Sequence, residues 1–291
     1  MIKPSFFLFL TLVIPLRGDT TFDNAAKFAW GGNTGWISFR HDRPSSPEGI
    51  VFGGAFLSGL AYSANLGWIN LGDGTPANGH TYSNATGTDF GLNHDGAGNL
   101  SGLAWSANTG WINFGWATAA DPNRPRVNLL TGAWTGMAWG ANTGWINLGT
   151  NLLTTQSRLD VDSDNDGMPD WWETRLFTNL TTANATSDKD GDGASDLAEY
   201  LADTHPNNAS SFLKIVAHSH NLGISQTTLE FTTTPTRLYR IEFSNTLANS
   251  WTDSALGTFA PDAGVTTTKI ITYPGHPKKF FRAIAIVPLA Q

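Results

Sequence analysis

The chain has 291 residues, enough for two or three domains of ordinary size. Its 17 Lys plus Arg against 24 Asp plus Glu give a formal charge of −7, and no stretch forms a basic stripe, which argues against a nucleic-acid partner. Cysteine is absent, so disulfides, thiolate chemistry and a lipidated N-terminal cysteine are excluded, and an exported form of this chain needs another staple.

Residues 1–18 read as a secretory signal. Lys3 gives a positive start, Phe6 to Leu16 is an apolar run broken only by Thr11 and Pro15, and Gly18–Asp19 is a plausible cleavage point. The run is short against the roughly 20 residues that cross a bilayer, and no other stretch could span one. The predicted location is therefore secreted, extracellular or cell-surface, without a transmembrane segment in the mature chain.

Between residues 19 and 150 one unit recurs four times. It reads Ala29-Trp30-Gly31-Gly32-Asn33-Thr34-Gly35-Trp36-Ile37-Ser38-Phe39, and it returns at Gly59–Leu71, Gly102–Phe114 and Gly136–Leu148. The Gly-Trp steps fall 32, 43 and 34 residues apart, a spacing that means units stacked or arranged radially around a shared core. Each unit predicts a β-hairpin, because Asn-x-Gly is turn chemistry and the flanks alternate: Trp111 and Asn113 share one face, Ile112 and Phe114 the other. A further strand is expected before three of the hairpins, at 49–56, 88–92 and 126–130; the first unit lacks one or takes it from elsewhere. The result is a compact barrel, a small propeller or a solenoid.

Nine of the 12 tryptophans lie between Trp30 and Trp145. A residue repeated in every unit more often serves packing, so these indoles are expected to build the core. The alternative is a row of faces that hold sugar rings, with the off-repeat Trp116 and Trp134 as the better surface candidates.

Half of the 24 acids fall between Asp160 and Asp203, opposed there only by Arg175 and Lys189. They form two matches to D-x-[DN]-x-[DN]-G-x5-E, the calcium loop. The first has Asp162, Asp164 and Asp166 at positions one, three and five, the carbonyl of Met168 at seven, Asp170 at nine and Glu173 at twelve. The second has Asp188, Asp190, Asp192, the carbonyl of Ala194, Asp196 and Glu199. Calcium is a hard cation that takes six to eight oxygens, and glycine at position six (Gly167, Gly193) allows the sharp turn. Two Ca2+ ions are the implied cofactors. Short exit helices follow over Asp170–Phe177, with Trp171, Trp172 and Phe177 as apolar load, and Asp196–Asp203, with Leu197, Tyr200 and Leu201. These helices should pack on each other over the ions, and metal binding and folding should be linked.

The stretches Asp-Gly-Met-Pro-Asp-Trp-Trp-Glu and Asp-Gly-Ala-Ser-Asp-Leu-Ala-Glu-Tyr resemble thrombospondin type 3 and dockerin-type calcium repeats of large secreted bacterial proteins. The likeness covers about 45 residues and implies metal, not partner. It departs from a full EF-hand because no helix is expected before Asp162. The units at 29–148 resemble Gly-Trp-Ile-Asn-Phe repeats of bacterial surface proteins, which implies a β fold. The phrases Arg237–Ser244 and Phe280–Ile284 resemble the sandwich module that follows calcium repeats in such proteins.

From Phe212 onward the runs 224–234, 238–244, 265–273 and 279–287 are β-branched, aromatic or alternating, and turn residues separate them, which predicts a β-sandwich of roughly 80 residues. Lys278 and Lys279 are expected to solvate an edge. The seven histidines are scattered; His218 and His220 could share a strand face as ligands but read more simply as a surface pair. No Gly-x-Ser-x-Gly, P-loop or His-Glu-x-x-His is present.

The chain thus reads as mainly β: an N-terminal all-β repeat domain (19–150), a short helical calcium-binding connector (151–211) and a C-terminal β-sandwich (212–291). The expected function is non-catalytic, a secreted calcium-binding structural or adhesion protein whose partner is a polysaccharide or cell-surface component. The alternatives are a carbohydrate-binding protein using the Trp-rich repeats and a polysaccharide-acting enzyme with an unrecognised carboxylate pair.

Overall fold

The computed structural model describes residues 20–43, 46–118, 120–246, 250–272 and 279–290. The signal expected at 1–18 and Lys278 lie outside them. Among the described residues the protein is mainly β with two short helices, and no helix is long and apolar enough to cross a membrane.

The first part of the chain contains strands β1 (Phe22–Gly31), β2 (Gly35–Ser38), β3 (Arg40–Arg43), β4 (Ser46–Phe52), β5 (Leu57–Ser63), β6 (Gly67–Asn70) and β7 (Leu92–His94). They are followed by β8 (Leu100–Ser106), β9 (Gly110–Asn113), β10 (Arg126–Val127), β11 (Trp134–Thr135), β12 (Met137–Gly140), β13 (Gly144–Asn147) and β14 (Leu153–Thr155). Four antiparallel hairpins, β1–β2, β5–β6, β8–β9 and β12–β13, coincide with the four sequence units. Each hairpin pairs with the next, and β13 returns to β1 through Trp30 opposite Asn147, so eight strands close into an antiparallel barrel. The turn glycines Gly35, Gly67, Gly110 and Gly144 all have φ between 67° and 81°, the left-handed conformation that their position requires.

Closure is reinforced at the rim. The side-chain amide of Asn33 donates to the carbonyl of Thr143 at 3.3 Å, Asn65 to Thr34 at 3.2 Å, Asn108 to Leu66 at 3.0 Å and Asn142 to Thr109 at 3.0 Å. Every turn therefore holds the turn beside it, and the four bonds run full circle.

The register decides which side chains face inward. Ala opposes Ile in all four hairpins: Ala29–Ile37, Ala61–Ile69, Ala104–Ile112 and Ala138–Ile146. With Phe39, Leu71, Phe114 and Leu148 these residues fill the barrel, all at most 4% exposed, around a residual void of about 10 Å³. An eight-stranded barrel is just wide enough for side chains to fill.

The adjacent ring in each hairpin points the other way. Trp30 opposes Trp36, Tyr62 opposes Trp68, Trp105 opposes Trp111, and Trp139 opposes Trp145. All eight are 38–50% exposed, which overturns the expectation that the repeated indoles build the core. An interior holding one Ala and one Ile per hairpin layer has no space for two large rings in the same place. The second surface candidate fails too: Trp134 is 2% exposed and packs with Phe22, Phe39 and Phe52 where the strands leave the barrel layer, away from the hairpin turns. Trp116 is half-buried against Trp145, with ring centres 4.8 Å apart, and its Nε1–H donates to the Met137 carbonyl at 2.6 Å.

Of the flanking strands, β4 overlaps its expected run and pairs with β5, β7 begins at the last residue of its run and pairs with β8, and β10 is only two residues long and pairs with β11. The first hairpin takes its flank from beyond the barrel, since β14 pairs with β1.

The helices are α1 (Asp170–Phe177) and α2 (Asp196–Ala202). The C-terminal part has β15 (Ile215–Asn221), β16 (Gln226–Thr232), β17 (Leu238–Ser244), β18 (Thr252–Asp253), β19 (Thr266–Thr272) and β20 (Phe280–Ile286). They form two three-stranded antiparallel sheets, β15-β16-β19 and β18-β17-β20. Leu229, Phe231 and Ile271 of the first and Tyr239, Ile241 and Ala285 of the second share one core. Strand β15 lies outside the four predicted runs, though a strand face shared by His218 and His220 is one reading of its sequence. It carries His218 and His220 on an open edge, and every one of its residues is exposed. Lys279 lies 3.8 Å over the Phe243 ring.

The inward–outward assignment is directly measurable by urea denaturation. Ile69→Ala should cost about 2–5 kcal/mol, the range for truncating a buried aliphatic chain. Trp68→Ala, next in sequence and larger, should cost less, about 1–2 kcal/mol, because its ring pairs lie on a half-exposed face that truncation leaves open to water and not as a cavity. The opposite order would place the indoles inside.

Candidate metal centres

Both predicted loops are closed by the same contacts. In the first, the Gly167 amide donates to Asp162 Oδ2 at 3.0 Å and the Met168 amide to Asp166 Oδ1 at 2.9 Å. In the second, the Gly193 amide donates to Asp188 Oδ2 at 2.9 Å and the Ala194 amide to Asp192 Oδ1 at 2.8 Å. Gly167 and Gly193 share φ +95°. These bonds bend each loop until its three aspartates offer oxygens within 4.8 Å of one another: Asp162, Asp164 and Asp166 in one, Asp188, Asp190 and Asp192 in the other.

The position-nine residues begin the helices and turn back. Asp170 Oδ1 accepts from the Ser163 amide at 2.7 Å and Oδ2 from its hydroxyl at 2.6 Å. Asp196 Oδ1 accepts from the Lys189 amide at 3.2 Å, and its other oxygen from the Ser187 hydroxyl. Both carboxylates thus staple the loop start to the helix, which suits a ligand reached through water. Pro169 caps α1 with extended backbone, and Ser195 caps α2, accepting from the Ala198 amide at 3.2 Å.

Glu173 and Glu199, one turn into their helices, are brought over the aspartates and are completely buried. Among the described residues neither Glu173 carboxylate oxygen has a hydrogen-bond partner, nor does Glu199 Oε2. Asp162 Oδ1, Asp166 Oδ2, Asp190 Oδ2 and Asp192 Oδ2 are likewise buried and unpartnered. Buried polar atoms are nearly always satisfied, and an unpaired carboxylate is among the costliest exceptions. The seven orphans cluster at two points, on residues that the loop pattern names as ligands. One divalent cation at each point would satisfy them. The donors are oxygens only, with no His, which fits calcium and not a softer metal.

Electrostatics agrees. Burial, then the neighbouring Asp166 and Asp164, pushes the Glu173 carboxyl up to about 8. Burial, then Asp190 and Asp192, pushes Glu199 up to about 7. Burial also raises Asp166.

The loops sit on one packed unit. Trp172 and Tyr200 meet edge to face at 5.5 Å, within a core of Met168, Phe177, Ala183 and Val287, so the two exit helices touch as expected. Leu201, counted with that apolar load, is exposed instead. Trp171 turns toward the barrel, where a Cβ on Gly54 would fall 2.1 Å from its Nε1.

Two buried arginines extend the unit on both sides. Arg158, just after β14, pairs with Asp160 at 2.6 Å and donates to the Tyr200 hydroxyl at 2.9 Å. Arg237, between β16 and β17, donates to the carbonyls of Leu201 at 2.8 Å and Tyr200 at 2.9 Å, where the end of α2 needs donors. These clamps had no sequence signal, because each joins residues about 35–45 positions apart.

No family model, curated protein or solved structure matches the chain.

The raised carboxyls fix a direction for pH. Without metal, the folded chain holds protons on Glu173 and Glu199 that the unfolded chain releases near the ordinary carboxylate pKa. The stability contributed is full below that value and is lost as pH rises through about 7–8. The chelated protein should therefore melt at lower temperature at pH about 8.5 than at about 6. Calcium uptake at neutral pH should release protons, read as a calorimetric heat that depends on buffer ionisation enthalpy. Buffer-independent heats would contradict it.

Proposed function

We propose that this is an exported, non-catalytic calcium-binding protein of structural or adhesive role. In this reading two Ca2+ ions stiffen a connector between a β-repeat barrel and a C-terminal β-sandwich, and the partner is a polysaccharide or cell-surface component. The observation that carries it is the set of buried carboxylate oxygens without partners at the ligand positions of both loops. The clamps of Arg158 and Arg237 support the connector part, since they tie α2 to the segment after the barrel and to the C-terminal sheets. Resemblance of the loops to thrombospondin type 3 and dockerin-type repeats agrees with this reading.

Calcium titration of the chelator-treated full chain by calorimetry tests it. Two ions should bind. Glu173→Gln and Glu199→Gln should each weaken one site by tenfold or more and leave the other, and chelation should expose the region around residues 156–212 to protease. An isotherm unchanged by either substitution would refute the ligand assignment.

One observation favours a second reading, in which the barrel binds carbohydrate: eight exposed rings stand in four equivalent cross-strand pairs around its wall. In that reading Trp68→Ala and Trp111→Ala each reduce retention on an insoluble polysaccharide by severalfold without changing the melting of the calcium-loaded connector. Retention unaffected by both would leave the rings without that role.

A further inference from the structure

A cavity of about 400 Å³ opens between the barrel and the first acidic loop. Three stretches far apart in sequence wall it: the turn between β4 and β5, the loop after β6, and the chain on either side of the acidic loop. Its size falls at the lower end of small-molecule sites, and its composition suits one: mostly apolar wall with a few polar groups. Phe56, Pro76 and Trp171 supply the apolar part; Ser58, Asp73, Thr75, Asp160 and Asp170 supply the polar part.

The chemistry of those polar groups narrows the ligand. Among the described residues no Lys, Arg or His lines the cavity, which argues against an anion. Asp160 is already compensated by Arg158 at 2.6 Å, and its other oxygen takes the Trp171 Nε1–H at 3.1 Å. It therefore offers lone pairs without a free charge. Asp73 holds the Thr75 amide on Oδ1 at 2.9 Å and lies at the exposed rim. A ligand with hydroxyl donors on one side and a C–H face on the other meets both requirements. Asp73 and Asp170 leave the cleft acidic, and its largely apolar wall favours a ligand with a C–H face over a bare, strongly hydrated cation.

We propose that this cleft is a binding site for a single neutral sugar unit, set in place by the first loop. It is separate from the ring pairs on the barrel wall and does not depend on their role. The link to the loop is direct, because Asp170, the position-nine residue stapled to Ser163, lines the cavity beside Trp171. On that point it rests on the calcium reading: an ion that orders the loop also orders this wall, and binding at the two places is then reciprocal.

The test is calorimetry on the full chain with methyl β-glycosides of glucose, galactose, N-acetylglucosamine and xylose, in calcium and in chelator. At least one should bind at millimolar concentration or better. Asp73→Ala should weaken it tenfold, and Thr75→Trp, at an exposed position on the rim, should abolish it by filling the space, with circular dichroism confirming the fold. Trp68→Ala on the barrel wall should leave it unchanged. Binding by none of the four, survival of binding in Thr75→Trp, loss in Trp68→Ala, or n-butylammonium binding in their place would each overturn the site. Equal affinity with and without chelator, in a protein that takes up calcium, would overturn the link to the loop; no calcium uptake alongside sugar binding would overturn the calcium reading and leave the cleft.

Discussion

Carboxylates brought together away from water are the constraint on which the middle of this protein turns. Backbone amides hold one oxygen of Asp162, Asp166 and Asp192 and both of Asp188, and the helix geometry delivers Glu173 and Glu199 over them. Seven carboxylate oxygens in the two loops are left buried without a partner. Such an arrangement is unfavourable by itself, through desolvation and mutual repulsion, and it becomes favourable only around a cation or with protons on the glutamates. The packed core of Trp172, Tyr200 and Met168 sits beneath it, so the state of the carboxylates reaches whatever that core supports.

What it supports is a junction. Tyr200 receives Arg158 from the segment leaving the barrel, while the carbonyls at the end of α2 receive Arg237 from the C-terminal sheets. Both guanidiniums are buried, where a hydrogen bond to a charged group is stronger than in water and an unpaired charge is costly. A loosened α2 would leave Arg237 with its donors unspent. The loops, the helix and the two flanking β parts therefore share a single set of contacts, and no cysteine is required to fasten them.

The parts legible in the sequence are the local ones. Each acidic loop is specified within twelve residues, so spacing alone located every carboxylate that the structure gathers, and the helices at Asp170 and Asp196 followed from it. The four hairpins were legible from Asn-x-Gly turns and alternation. Alternation identified two faces, with Ile112 and Phe114 on one and Trp111 on the other, but not which was inner. That choice is made by closure of eight strands into a ring too narrow for two large rings per hairpin, a property of the whole circle and of no single unit. Strand β15 falls outside the predicted runs because neither of its faces is covered, leaving no burial period to detect. The cavity beside Trp171 is built from segments about a hundred positions apart, and no window of sequence contains it.

The closed ring has a consequence for how such a unit can be reused. Because β1 lies between β2 and β13, and β14 pairs with it as well, the chain enters and leaves the barrel side by side. A module whose two ends are neighbours can be spliced into a loop of a host protein, or recut at any of its tight turns, while every strand keeps its partners. The four amide bonds that run around the rim make no distinction between the seam and the other three junctions. A circular permutant opened in the long loop between β6 and β7 would keep every one of these strand pairings.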